Sequence, residues 1–278
     1  MALQLLPRWR VEHVRPQLVE AASGLRNLQG VTYPAERFNA YLKWTGDQLG
    51  VLRHCLSRDA LNRLITTDHY RTLCLLDPAT KGNQLYSVVD IEIARQIDEF
   101  DAALNELDVA VARHEGADLV LVPDTNVFLQ GLVSFENRAW SELLPRPNAS
   151  AQLAIPLLVI DELDKAKLRT NNVHPKSDEK VRARARRTLR ALEQGFAGDD
   201  PYQLECAGQA KVTVTFIPED ARHIRLPRPD DELVDIAQGL AAMTSAPVLL
   251  VSDDTGLRLR ASIAGLNAIE PPGDEPAD

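Results

Sequence analysis

Apolar residues fall at helical spacing through the first part of the chain. From Pro34 to about Arg58, Phe38, Tyr41, Leu42, Leu49, Leu52 and Leu56 recur every three or four positions and predict one helix face. From Val88 to Glu115, Ile91, Ile93, Ile97, Phe100, Leu104, Leu107 and Val111 do the same. Asp77-Pro78 and Lys81-Gly82-Asn83 mark a loop between these helical parts. Past Gly116 the pattern changes to short apolar runs of strand type. These are Leu119 to Val122 (LVLV), Ile155 to Ile160 (IPLLVI), the alternating Lys211 to Ile217 (KVTVTFI), and Val248 to Val251 (VLLV). Helical stretches are expected between them at roughly 134–143, 178–194, 231–243 and 255–264. Strands alternating with helices predict an α/β fold with a parallel sheet covered on both faces. The expected organisation is an α-helical region over 1–115, an α/β domain over 118–270 and a disordered tail over 271–278, within the Pro-rich acidic ending EPPGDEPAD that begins at Glu270.

Composition narrows the class. In 278 residues, 31 Lys and Arg oppose 40 Asp and Glu, a net charge of −9. A hydrophobic content of 45% with 26% charged residues excludes global disorder. The acidic balance argues against coating nucleic acid or membrane by bulk charge, but leaves room for a local basic patch. Cys55, Cys74 and Cys206 are far apart and form no CxxC pair, which excludes a disulfide framework and a cysteine zinc site. The six histidines form no HxxxH or HxH pair. Neither GxGxxG, GxxxxGK[ST] nor GxSxG occurs. The longest apolar run near the middle is too short for a bilayer, and Arg8 and Arg10 come too early for a signal peptide. A cytoplasmic protein with no membrane partner is expected.

The candidate chemistry lies in where the acids fall. LVLVP runs into Asp124-Thr125-Asn126, IPLLVI into Asp161-Glu162-Leu163-Asp164, and VLLV into Ser252-Asp253-Asp254. Asp230-Asp231-Glu232, with Asp235, opens the helix leading to the last strand. Ligands of open parallel sheets bind at the carboxyl ends of the strands. Each acid alone is also what a helix N-cap or first turn prefers. Four such clusters at corresponding ends of βα units point instead to a shared pocket. Crowded carboxylates either rise in pKa or bind a cation. Oxygen-only donors suit Mg²⁺ or Mn²⁺, and two such ions can clamp a scissile phosphodiester.

At these segments the chain resembles the PIN domain family of metal-dependent ribonucleases, over about residues 118–270. VPDTNVFL resembles the family's first strand and its leading Asp. IPLLVIDELDKAK and VLLVSDDTGLRLRA are similar to the central and last acidic segments of the larger PIN domains, those of nonsense-mediated decay endonucleases and PhoH-like proteins. The resemblance implies a Rossmann-like three-layer fold and an active site of Asp124, Glu162, one Asp of the DDELV segment, and Asp254. Asp231 fits the family's Asp-x-x-Ile/Val spacing, with Val234 for the usual Ile, and Asp230 is the weaker competitor. Asp235 and Asp253 are further candidate metal ligands. Thr125, Asn126 and Ser252 match small polar positions that support the leading carboxylate.

An acidic pocket needs cations to guide a polyanion. Lys165 and Lys167, and then Arg182, Arg186 and Arg190 in the run Lys180 to Arg190, are the candidate RNA contacts, and a solvated surface helix is the plain alternative. Arg222, His223, Arg225 and Arg228 form a second small basic cluster. The expected activity is a Mg²⁺- or Mn²⁺-dependent ribonuclease, endonucleolytic on single-stranded RNA. The rivals are a non-cleaving PIN-like RNA- or protein-binding module, a structure-specific DNA nuclease, and a haloacid-dehalogenase-like phosphatase, which would want a second Asp where Asn126 stands. A homo-oligomer is left open, because the apolar faces of 1–115 must be covered by each other, the α/β domain or a second chain.

Overall fold

The computed structural model describes residues 3–6, 8–76, 78–197, 202–204, 211–219 and 223–273. Cys206, Arg222 and residues 274–278 of the expected tail lie outside the described residues. The chain divides into two compact units, Met1–Arg113 and His114–Asp278.

The first unit is helical. It contains α1 (Val11–Leu28), α2 (Pro34–Leu52), α3 (Arg58–Leu64), α4 (Asp68–Leu75) and α5 (Pro78–Ala112). The helix expected to reach Arg58 ends at Leu52. Ser57 starts the next one by accepting a hydrogen bond from the Ala60 N–H at 3.2 Å, and Thr67 starts α4 the same way with the Tyr70 N–H at 3.0 Å. The loop expected at Lys81-Gly82-Asn83 is helix, because α5 begins at Pro78 and runs through it. Pro is favoured at a helix start, and one internal Gly costs only about 1 kcal/mol against the packing of α5 on the other helices of this unit. Tyr41, Trp44 and Phe100 are buried at its centre, with the Trp44 and Phe100 rings edge to face at 6.1 Å.

The second unit is a three-layer α/β domain. Its elements are β1 (Leu119–Pro123), α6 (Thr125–Leu129), β2 (Ser150–Pro156), α7 (Leu157–Ala166), α8 (Val181–Gly195), β3 (Gln203–Leu204), β4 (Lys211–Ile217), α9 (Pro229–Met243), β5 (Val248–Val251), α10 (Thr255–Ile263) and β6 (Asn267–Ile269). The sheet order is β3-β4-β2-β1-β5-β6, with every pairing parallel except β3 on β4. The apolar runs of β1 and β5 are buried at its centre, as strands covered on both faces must be. Among the described residues no helix is long and apolar enough to cross a membrane.

Two expectations are overturned here. IPLLVI is not a strand: β2 lies earlier and ends at Pro156, and Leu157 to Ile160 form the first turn of α7. Pro156 keeps an extended backbone at the helix N-cap, so the apolar run switches from period two to one helix face, burying Leu158 and Val159. The stretch 134–143 forms two 3₁₀ turns, Phe135–Asn137 and Trp140–Leu143. Arg138 between them is extended and buried, and it donates to the carbonyls of Val127, Gln130 and Pro272. At the end of α10, Gly265 adopts φ +84°, the left-handed turn that feeds β6.

The second unit has its own apolar core, so residues 114–278 expressed alone should unfold cooperatively in urea with dispersed amide resonances. An insoluble or molten fragment would show that it needs the first unit.

Candidate functional site

The strand order reverses about β1. The chain passes from β1 to β2 on one side and returns to β5 on the other. Pro123 pairs with Val251 in the last register position of β1 and β5. The next residues, Asp124 and Ser252, therefore meet at the carboxyl edge, at the crevice where such sheets bind ligands. The Asp124 N–H still donates to the Val251 carbonyl at 2.9 Å. Its Oδ2 accepts from the Ser252 hydroxyl at 2.9 Å. Ser252 is fully buried, and its Oγ accepts from the Asp254 N–H at 3.0 Å. One hydroxyl thus fixes the Asp124 carboxylate and the turn that leads to α10.

Glu162 arrives from α7, and the buried Thr125 hydroxyl donates to its Oε2. The Asp124 carboxyl is pushed up to about 6. Loss of solvation is the main cause; the Ser252 hydroxyl and the Thr125 N–H oppose it, and the charges of Glu162 and Asp230 add to it. Carboxylates from α7 and α9 therefore both act on the one that follows β1.

The acid that reaches Asp124 from α9 is Asp230. Asp231, favoured by motif spacing, pairs with Arg260 of α10 at 2.8 Å. Helix geometry accounts for this. Asp230 continues the buried stripe of Leu233, Val234 and Ala237 at i+3, i+4 and i+7, so it lies on the face turned to the sheet, while Asp231 lies on the flank. That stripe was readable in the sequence. Asp254 caps α10, its Oδ1 accepting from the Gly256 and Leu257 N–H groups at 2.6 and 3.2 Å. Asp253 is exposed. Asp235 belongs elsewhere: burial, and then the charge of Glu232, raise its carboxyl pKa, while His223 lowers it. Asn126 accepts from the Gln130 amide at 3.0 Å within the same short helix.

A family model described as the PIN domain matches residues 121–271, more than half of the chain. The chain belongs to the PIN domain family. No curated protein matches it. PIN domains are generally nucleases and typically use divalent metals. The donor set of this PIN domain suits such an ion. Asp124, Glu162 and Asp230 offer only oxygens, and one of the three is held partly out of water beside the other two charges.

The basic helix of the PIN domain divides its arginines. α8 packs on α6 and α7, which carry Thr125 and Glu162. Arg184 is buried, pairs with Glu179 at 2.6 Å, and donates to the carbonyls of Gly131 and Val133. Arg187 pairs with Glu179 at 2.9 Å. Arg182, Arg186 and Arg190 are exposed and have no carboxylate partner among the described residues. Lys165 is likewise exposed, whereas Lys167 pairs with Asp164 at 2.5 Å. In the second basic cluster, Arg225 is held by Glu219 and Asp161.

A carboxyl whose folded pKa is raised weakens the metal-free fold as pH climbs from its usual value near 3.8 through about 6. In chelator, Asp124→Asn should stabilise the protein at pH 7.5 by about 1–3 kcal/mol. The gain should vanish near pH 4, where both side chains are neutral. Urea denaturation at the two pH values measures it, and equal stabilities at pH 7.5 would contradict the cost of holding this buried carboxylate charged beside Glu162 and Asp230.

Proposed function

We propose that the PIN domain of this chain is a Mg²⁺- or Mn²⁺-dependent ribonuclease that cuts single-stranded RNA internally. The observation that carries this reading is the convergence of Asp124, Glu162 and Asp230 at the carboxyl edge, with the Asp124 carboxyl raised to about 6. Such an ion would be held by Asp124, Glu162 and Asp230, and when bound it would activate a water and stabilise the leaving oxygen. Ser252 keeps the Asp124 carboxylate aimed, and Thr125 does the same for Glu162. Asp254 supports the group through its backbone N–H on the Ser252 hydroxyl, while its carboxylate caps α10. Arg182, Arg186 and Arg190, spaced i, i+4 and i+8, offer phosphate contacts along one side of α8.

Purified protein should cut labelled single-stranded RNA internally with Mn²⁺ or Mg²⁺. Asp124→Asn should lower the rate by on the order of a hundredfold or more, since the ion's several kcal/mol of stabilisation is lost. Asp230→Asn should fall as far, and Asp231→Asn should stay within a few-fold. Cleavage by Asp124→Asn at the wild-type rate would defeat the reading, and a preference for branched DNA over RNA would favour the structure-specific DNA nuclease.

Replacing Arg182, Arg186 and Arg190 by Ala should weaken RNA binding and flatten its salt dependence, by about 0.7 in log–log slope for each phosphate no longer neutralised. Equal affinity and equal slope would make α8 a solvated surface.

A further inference from the structure

A separate cluster lies where residues 223–228 enter α9. Glu232 of the first turn of α9 is only 1% exposed. One of its oxygens accepts from the Leu226 N–H at 2.7 Å, and the other faces His223 Nε2 at 2.6 Å. Glu219, just past β4, completes the group: one ligand atom from each of Glu219, His223 and Glu232 lies within 4.8 Å of the others. Asp235, half-buried one turn further along α9, is a further carboxylate on this helix. Among the described residues no lysine or arginine pairs with Glu232 or Asp235, and one arginine, Arg225, spans both oxygens of Glu219, at 2.8 and 2.5 Å, and Asp161 at 2.6 Å. Among the described residues the carboxylates here outnumber the cations around a single imidazole, with one carboxylate almost out of water, an arrangement that favours a cation.

We infer that Glu219, His223 and Glu232 form a second metal site, for a borderline divalent transition ion of the Zn²⁺ type. It differs from the oxygen-only group at Asp124 in its donors. An imidazole nitrogen with two carboxylates suits Zn²⁺, whereas Mg²⁺ wants oxygen ligands throughout. Three protein ligands leave a fourth position for water or for Asp235. The ion replaces the His223–Glu232 hydrogen bond with two metal bonds and takes one Glu219 oxygen from Arg225, which keeps Asp161. Its effect is to clamp the segment entering α9 onto the first turn of that helix, two residues from Asp230. The inference does not rest on the nuclease reading.

The test uses the full-length, tag-free chain carrying Asp124→Asn and Glu162→Gln, which removes the acid site. Calorimetric titration with Zn²⁺ alone should give one equivalent, unchanged by excess Mg²⁺, and Zn²⁺ should raise the unfolding temperature. Co²⁺ should give a visible absorption band of a nitrogen- and oxygen-ligated centre. His223→Ala, at an exposed position, should remove the equivalent, the thermal shift and the band, and Glu219→Gln should weaken all three. Absence of Zn²⁺ binding in the double variant would overturn the site, as would equal binding after His223→Ala.

Discussion

Asp124 must be held beside two other carboxylates against its own electrostatics. A rise from 3.8 to about 6 corresponds to about 3 kcal/mol at most of unfavourable interaction in the charged form. A flexible chain would relieve that strain by returning the carboxyl to water and letting the acids drift apart. Here they cannot drift, because each is mounted on something rigid. Asp124 remains in the backbone ladder with β5 and is tethered by a buried serine, and Glu162 is tied to the Thr125 hydroxyl. Asp230 extends a helix stripe packed in the core. The apolar interior of β1 and β5 fixes the frame, and the frame holds charges that would otherwise separate.

The net charge of −9 says little about what a polyanion meets at this domain. Several arginines are committed to structure. Arg138 and Arg184 are buried and satisfy backbone carbonyls, as the five-donor guanidinium does well. Arg225 and Arg260 neutralise carboxylates beside the acid group. What remains for a phosphate backbone on α8 is the outward set at 182, 186 and 190.

The start of α9 serves two chemistries at once. Residues two apart on a helix point roughly 200° apart, so Asp230 and Glu232 face opposite sides. Asp230 looks to the β1 edge and an all-oxygen neighbourhood, while Glu232 looks to His223 and the backbone of Leu226. Asp231, between them, is left to tie α9 to α10 through Arg260.

Alternating apolar runs and helical periods carried the α/β class, the strands β1, β4 and β5, and the positions of α8, α9 and α10 in the linear chain, because burial on two faces or on one stripe writes its own period. The acids at 124 and 162 were legible for the same reason: they follow recognisable apolar segments. Other features depended on the assembled structure. Residues 155–160 read as a strand because an apolar run bears no mark of its period, and it took the pairing of 150–156 between β1 and β4 to make Leu157 a helix start. Trp140 and Phe135 are buried in two 3₁₀ turns and not in one α-helix, and Arg138 between them ties the segment to the carbonyls of Val127, Gln130 and Pro272. Asp230 and Asp231 are adjacent in sequence, and which of them joins Asp124 is settled by the rotation of α9 against the sheet. The approach of Glu219 and His223 to Glu232 likewise has no sequence signal, because a segment folding back over a helix start brings together residues whose spacing matches no ligand motif.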